Sequence, residues 1–239
     1  MPSIGWRATL SEMKAFLVIP LLVITACGRP LSSGEEAFAT TFHGDGLDTK
    51  KVRILRNPII KLYVSTVPYP PRTTCAEKTL PPPTEEFYTG SPAATVLFNK
   101  ITINPDAHAS DYLPAWPRTA NLRAAMFLAH ELVHTWQWQN RRKTGYHPFK
   151  AAAEHQASPD PYLFELGNDA RFLDFGYEQQ GAIAAEYICC AALAPKAPRT
   201  QRLKALLSQE FPIDRLSEVL PKTPVALPWN GVKLAGICD

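Results

Sequence analysis

From Leu122 to Trp136 the apolar residues Leu122, Ala125, Met126, Ala129, Val133 and Trp136 recur at helical spacing. Such steps align side chains along one stripe of a 3.6-residue helix and predict an amphipathic helix of roughly 20 residues. Asn121 or Thr119 stands where an N-cap belongs, and Gly145 where the helical stretch should stop. A second helix opens at Gly176 and runs to about Leu193, before Pro195; Leu203 to Glu210 and Ile213 to Leu220 read as short amphipathic helices. Ala94 to Ile103, rich in β-branched residues and closed by Asn104-Pro105-Asp106, is the best strand, and Val52 to Val64 predicts a strand pair or strand-turn. Residues 66–86 form a Pro-rich loop carrying Cys75, Tyr146 to Pro161 an irregular link, and Tyr162 to Gly167 a helical turn. Strand, helix and second helix in this order predict an α+β domain whose small sheet packs on the first helix.

Composition narrows this picture. A hydrophobic fraction of 46% and a charged fraction of 20% over 239 residues suit one globular domain with tails. A net charge of +3, without a basic run, gives no reason to expect nucleic acid as a partner. The start of the chain reads as an address. Lys14 precedes an apolar run from Ala15 to Ile24, too short to span a bilayer, followed by Thr25-Ala26-Cys27. Ile24-Thr25-Ala26-Cys27 resembles the bacterial lipobox, in which the cysteine is lipidated after cleavage. Met13 is an alternative start, since residues 1–12 add nothing that a signal needs. The expected organisation is a lipoprotein signal peptide at 1–26, a polar, Gly-containing tether at 27–50 and the folded domain at 51–239. Lipidated Cys27 would anchor the chain in the membrane of the bacterial envelope; Gly28 after it, rather than Asp, resembles outer-membrane sorting to the periplasmic face. Four further cysteines, Cys75, Cys189, Cys190 and Cys238, can form disulfides in that compartment. Adjacent helical Cys189 and Cys190 point about 100° apart and suit links to Cys75 and Cys238 better than to each other, with the pairing left open. A cysteine zinc site is the rival reading, although no C-x-x-C pair supports it.

The chemistry lies in His130-Glu131-Leu132-Val133-His134. Two histidines four apart on a helix share a face, about 40° apart around the axis, and suit two nitrogen ligands of one Zn²⁺. The glutamate between them can lie beside the metal without binding it and act as a base. This is the H-E-x-x-H pattern of zinc metallopeptidases. A catalytic zinc needs a third protein ligand. Gln137 and Asn140 stand where a metzincin has Gly and His, which excludes that family. A glutamate from the later helix is the alternative, Glu178 or Glu186. Glu178 is favoured because Gly181, Ala182 and Ala185 on its face let two helices approach closely.

H-E-L-V-H-T-W-Q followed by L-D-F-G-Y-E-Q-Q-G-A-I-A-A-E-Y resembles an uncharacterised bacterial family of small gluzincin-like metallopeptidases, over about residues 94–190. Such domains also occur in polymorphic-toxin and contractile-injection proteins. The resemblance implies a minimal zincin-like fold, Zn²⁺ on His130, His134 and Glu178, Glu131 as general base, and a peptide or protein substrate laid along the 94–103 strand. Many gluzincins carry Asp four residues after the third ligand, bonded to the first histidine; here that position is Ala182, which leaves Asp174, one turn before Glu178, or Glu186 to make that bond, while Gln137, on the face of His130 and His134, is a separate candidate to orient the ligands. An oxyanion stabiliser should also exist, with Tyr146, His147, His155, Tyr162, Arg171, Tyr177 and Tyr187 as candidates. His43 and His108 have no partner spacing. The expectation is an envelope-anchored zinc metallopeptidase. The alternatives are a non-catalytic zincin-fold lipoprotein that binds envelope components, and a toxin-like or immunity-associated envelope factor.

Overall fold

The computed structural model describes residues 28–158, 160–167 and 169–239, so the signal-peptide reading and Cys27 lie outside the described residues. The elements in chain order are α1 (Ser33–His43), β1 (Arg53–Arg56), β2 (Ser65–Pro68), α2 (Cys75–Lys78), β3 (Phe87–Gly90), β4 (Ala94–Leu97), β5 (Lys100–Ile103), β6 (Ala120–Asn121), α3 (Leu122–Gln139), α4 (Arg141–Thr144), α5 (Pro148–Ala157), α6 (Tyr177–Leu193), α7 (Pro198–Leu207), α8 (Asp214–Val219) and β7 (Val225–Ala226). The architecture is α+β. One sheet has the order β1-β5-β4, with β1 parallel and β4 antiparallel to β5; β2–β3 and β6–β7 form two-stranded ribbons.

The antiparallel or parallel sense of the strands matters less to the site than the two long helices. α3 starts where Asn121 accepts a hydrogen bond from the Ala124 amide at 3.0 Å. Its apolar stripe is buried as expected, but Leu128, Leu132 and Thr135 are buried as well, so the helix is enclosed over most of its circumference. α6 packs directly on it, and Ile183, Ala184, Tyr187 and Ile188 share one core with Leu122, Ala129 and Val133. After α3, Gly145 takes a left-handed conformation (φ 66°) and closes α4. Two disulfides tie other segments to α6: Cys75–Cys189 fixes α2 and Cys190–Cys238 the C-terminus. The adjacent cysteines each take a distant partner, and the four cysteine sulfurs among the described residues are bonded in pairs rather than free for a metal.

The fold departs from the sequence reading in several places. The 94–103 strand is a hairpin, with Leu97 opposite Lys100 and a turn at Phe98-Asn99. Phe98 holds φ 60°, a conformation normally given to glycine, while its ring packs 4.5 Å from that of Trp138. No Gly marks this turn, so the apolar run reads as continuous. The tether at 27–50 is corrected as well. From Gly28 on it belongs to the fold: Arg29 bridges to Ile54, and α1 buries Phe38 and Phe42 completely. Ser32 and Glu35 form a capping box, and Glu35 is buried in a bidentate pair with Arg29 at 2.6 and 2.8 Å. The 146–161 link contains α5, the Pro-rich loop contains β2 and α2, and Val52 to Val64 is β1 followed by a 3₁₀ turn at Pro58–Leu62. Residues 162–167 carry no helix. His43 lies inside the core between the rings of Phe42 and Phe211, where burial pushes its pKa down to about 3 and keeps it neutral.

Candidate metal centre

α3 aims His130 and His134 at α6, and α6 returns Glu178 to them. The two Nε2 atoms lie 3.1 Å apart, and Oε2 of Glu178 is 3.2 Å from each. Three donor atoms thus form a nearly equilateral triangle of two nitrogens and one oxygen that could hold a metal ion. Ligands about 2.0–2.1 Å from a tetrahedral Zn²⁺ stand about 3.3–3.4 Å apart, so the triangle is close to the size that ion requires.

The hydrogen bonds around the triangle fix the chemical form of its ligands. Gln137 donates its side-chain amide to the Tyr177 carbonyl (3.1 Å) and to Oε1 of Gln180 (3.0 Å), which turns its own Oε1 toward His134. Oε1 lies 2.9 Å from His134 Nδ1 and can only accept, so Nδ1 carries a proton and Nε2 is the nitrogen turned to the triangle, with a lone pair for a metal once its own proton is lost. Gln180 is held in turn by donating to the Phe175 carbonyl (2.8 Å). Glu178 is positioned from α5. The Glu154 carboxylate accepts from the Tyr177 and Glu178 amides (2.8 and 3.0 Å), capping α6, while His155 Nε2 lies 3.1 Å from Glu178 Oε1.

Without a cation this cluster is electrostatically one-sided. Burial works against ionising Glu178, but His134 and the three imidazole hydrogen bonds hold its pKa far below the usual carboxylate range. Burial likewise opposes charge on His134, yet the Glu178 carboxylate outweighs it and lifts the pKa to about 9. A negative carboxylate held against buried imidazoles calls for positive charge at the triangle, from protons or from a metal. Glu131 is buried beside it, its pKa raised chiefly by desolvation and opposed by His130 and His134.

α6 can come this close because of Gly181. A Cβ there would stand 2.7 Å from Cε1 and Nδ1 of His130. Gly181→Ala is therefore expected to push the His130 ring off its position and weaken metal binding about 10–100-fold, the range for disturbing a ligand's support. Competition titration against a chromogenic chelator measures this. Unchanged affinity would mean that the ring is not held by helix contact.

The triangle opens on a cleft of about 350 Å³. His130 and Glu131 form part of its wall, with Pro92, Ala93 and Ala94 of the sheet edge on one side and Ala182 and Ala185 on another. Tyr162 stands at the rim, its ring centroid 5.8 Å from those of both His130 and His155. Burial and the Glu178 and Glu131 charges push its phenol pKa upward, so it remains a proton donor.

The chain is similar to a solved structure, the effector domain of Pseudomonas aeruginosa VgrG2b, with 21% identity and a TM-score of 0.46 over 77% of this chain and 83% of that one. No protein-family model matches the chain. No curated protein matches it either.

Of the residues singled out from sequence, His130, Glu131, His134, Glu178 and Gln137 come together. Asp174 does not: it lies at the surface in a bidentate pair with Arg171 (2.8 and 2.9 Å). Glu186 does not reach the imidazoles. Its Oε2 accepts from the Cys75 amide (2.8 Å) and its Oε1 from Arg199 (2.7 Å), so it holds α2 against α6. Both are corrected as orienting groups, and Glu186 as a ligand. Among the oxyanion candidates, His155 and Tyr162 reach the site, whereas Tyr177 bonds the Gly145 carbonyl and Arg171 is tied to Asp174. Glu154 was missed. Its signal was present: Pro148 at the first turn and Ala151-Ala152-Ala153 spell a helix that would carry Glu154 and His155 back over Glu178.

Proposed function

We propose that the protein is a zinc-dependent peptidase with a minimal zincin-like core, acting on peptide or protein segments in the bacterial envelope, where Cys27 anchors it. The observation that carries this reading is the triangle of two imidazole nitrogens and one carboxylate oxygen with buried Glu131 beside it on an open cleft. The donor set fits Zn²⁺: mixed nitrogen and oxygen, of near-tetrahedral spacing, with a hydrogen-bonding partner behind His134 and behind Glu178. When bound, zinc would polarise the scissile carbonyl and acidify a water molecule.

The other roles belong to the chain. Glu131 takes the proton from the attacking water and delivers it to the leaving amine, a task suited to a carboxylate whose proton affinity is raised by burial. Tyr162, at the rim of the cleft, would donate a hydrogen bond to the developing oxyanion, while His155 stays on Glu178 as its hydrogen-bond partner. β4 is an edge of the three-stranded sheet, and Ala93 and Ala94 line the cleft, so an extended substrate can add to that edge and bring its scissile bond to the triangle.

The purified chain is expected to hold one zinc and to cleave an unfolded protein such as casein. A chelator should abolish cleavage, and stoichiometric zinc should restore it. A protein that binds zinc but cleaves no peptide across a broad substrate library would instead be the binding module. A protein with no zinc affinity would overturn the centre itself.

A further inference from the structure

The loss of the tether changes what can lie against the membrane. Arg29 exchanges both backbone hydrogen bonds with Ile54 in an antiparallel bridge (2.9 and 2.8 Å), and a side chain on Gly28 would meet Leu55 at 2.5 Å. Traced backwards from Arg29, the antiparallel sense carries the chain toward the C-terminal end of β1. That is the end from which the Pro58–Leu62 turn and the β2–β3 ribbon emerge. Leu62 follows Leu55 by seven residues (62 minus 55), so the two lie within about 25 Å of each other.

This ribbon is unusually apolar for a free surface. Every residue from Lys61 to Pro71 is exposed. Leu62, Tyr63 and Val64 are 78%, 68% and 63% exposed. Val67 lies opposite Tyr88 across the ribbon, and the Tyr88 ring sits 5.9 Å from that of Tyr69. A two-stranded ribbon left alone in water is marginal, and exposed apolar side chains at this density mark an interaction surface. Tyrosines mixed with Leu and Val are what the headgroup boundary of a bilayer accommodates, with exposed Arg56 on one side of the ribbon and exposed Glu85 and Glu86 before β3.

We propose that the turn and ribbon from Leu62 to Tyr69, with Tyr88, form a lipid-docking surface that rests the domain on the membrane next to its anchor. This depends on the reading of Cys27 as the lipidated residue. With Gly28 alone between that cysteine and the bridge at Arg29, the sheet starts two residue steps, at most roughly 7 Å, from the anchored position. One face of the domain must then lie against the headgroups, and the ribbon is the exposed apolar surface that leaves β1 from the anchor's end. β3 continues through Ser91 into Pro92 and Ala93 of the cleft, so docking would hold the cleft near the bilayer and direct it to membrane-proximal segments of envelope proteins.

The test uses the full chain, purified in detergent and reconstituted into phosphatidylethanolamine–phosphatidylglycerol vesicles with or without brominated acyl chains. Tyr63→Trp and Tyr88→Trp each add one fluorophore to the ribbon; Phe149→Trp adds one at an exposed site on α5. The added emission at 63 and 88 is expected to fall by about half or more in brominated vesicles, and that at 149 to stay unchanged. Equal quenching at all three positions, or none at 63 and 88, overturns the surface. Blue-shifted but unquenched emission there also overturns it and assigns the ribbon to a second copy of the chain. The mass of the Cys27 peptide from the same preparation reads the anchor separately. Quenching without acylation keeps the surface and rejects the anchor; acylation without quenching does the reverse.

Discussion

Replacing Glu131 by Gln should leave the zinc content unchanged and lower peptide hydrolysis by about 10²–10⁴-fold, the usual contribution of a positioned base. The substitution keeps the shape of the side chain and removes its ability to take a proton. Glu131 sits on α3 between the two imidazoles but supplies no atom to the donor triangle. Its carboxylate is buried, and desolvation already favours its neutral form. A neutral amide of the same shape therefore costs the fold little, and the melting temperature should be equal or slightly higher. The measurement pairs zinc per chain with the rate on one peptide substrate. Cleavage at the wild-type rate with zinc in place would remove Glu131 as the base. Loss of zinc together with activity would show that it supports the ligands instead.

The parts of this site that were legible in the sequence are those that repeat locally. α3 announces itself through six apolar residues at helical spacing, and the motif within it fixes which face presents the two imidazoles. α6 is legible through Gly176 and Pro195 at its ends and small residues along the face that must approach. What was not legible depends on long-range contact. Polar composition hid α1, although Ser32 and Glu35 have capping-box spacing and Phe38 and Phe42 lie one turn apart. The Phe98-Asn99 turn has no Gly, and its positive-φ residue is a Phe whose ring packs on Trp138 from another element. The role of Glu186 is set by Arg199 and by the amides of α2, brought to it partly by a disulfide. One sequence separates Glu178 from Glu186 by eight positions on one helix; only the neighbours assign one to the imidazoles and the other to α2.

That assignment gives the second large expected effect. Glu178→Ala should lose zinc, with affinity falling by more than the about 10–100-fold that removal of an orienting partner costs, because a donor atom itself disappears. It also takes away the acceptor shared by His130, His134 and His155, leaving three imidazoles around an empty corner. Glu186→Ala should do something different. Its carboxylate is 1% exposed and pairs with Arg199, so its removal leaves a partly buried guanidinium and two α2 amides without their acceptor, a cost of about 1–3 kcal/mol. The Cys75–Cys189 bond still holds α2, so the variant should fold with a lower melting temperature and a full complement of zinc. Zinc content and thermal unfolding of the two variants together form the test. The assignment requires the zinc loss in one and the stability loss in the other. Zinc retained by Glu178→Ala and lost by Glu186→Ala would reverse the ligand, and with it the orientation of α6 over the motif helix.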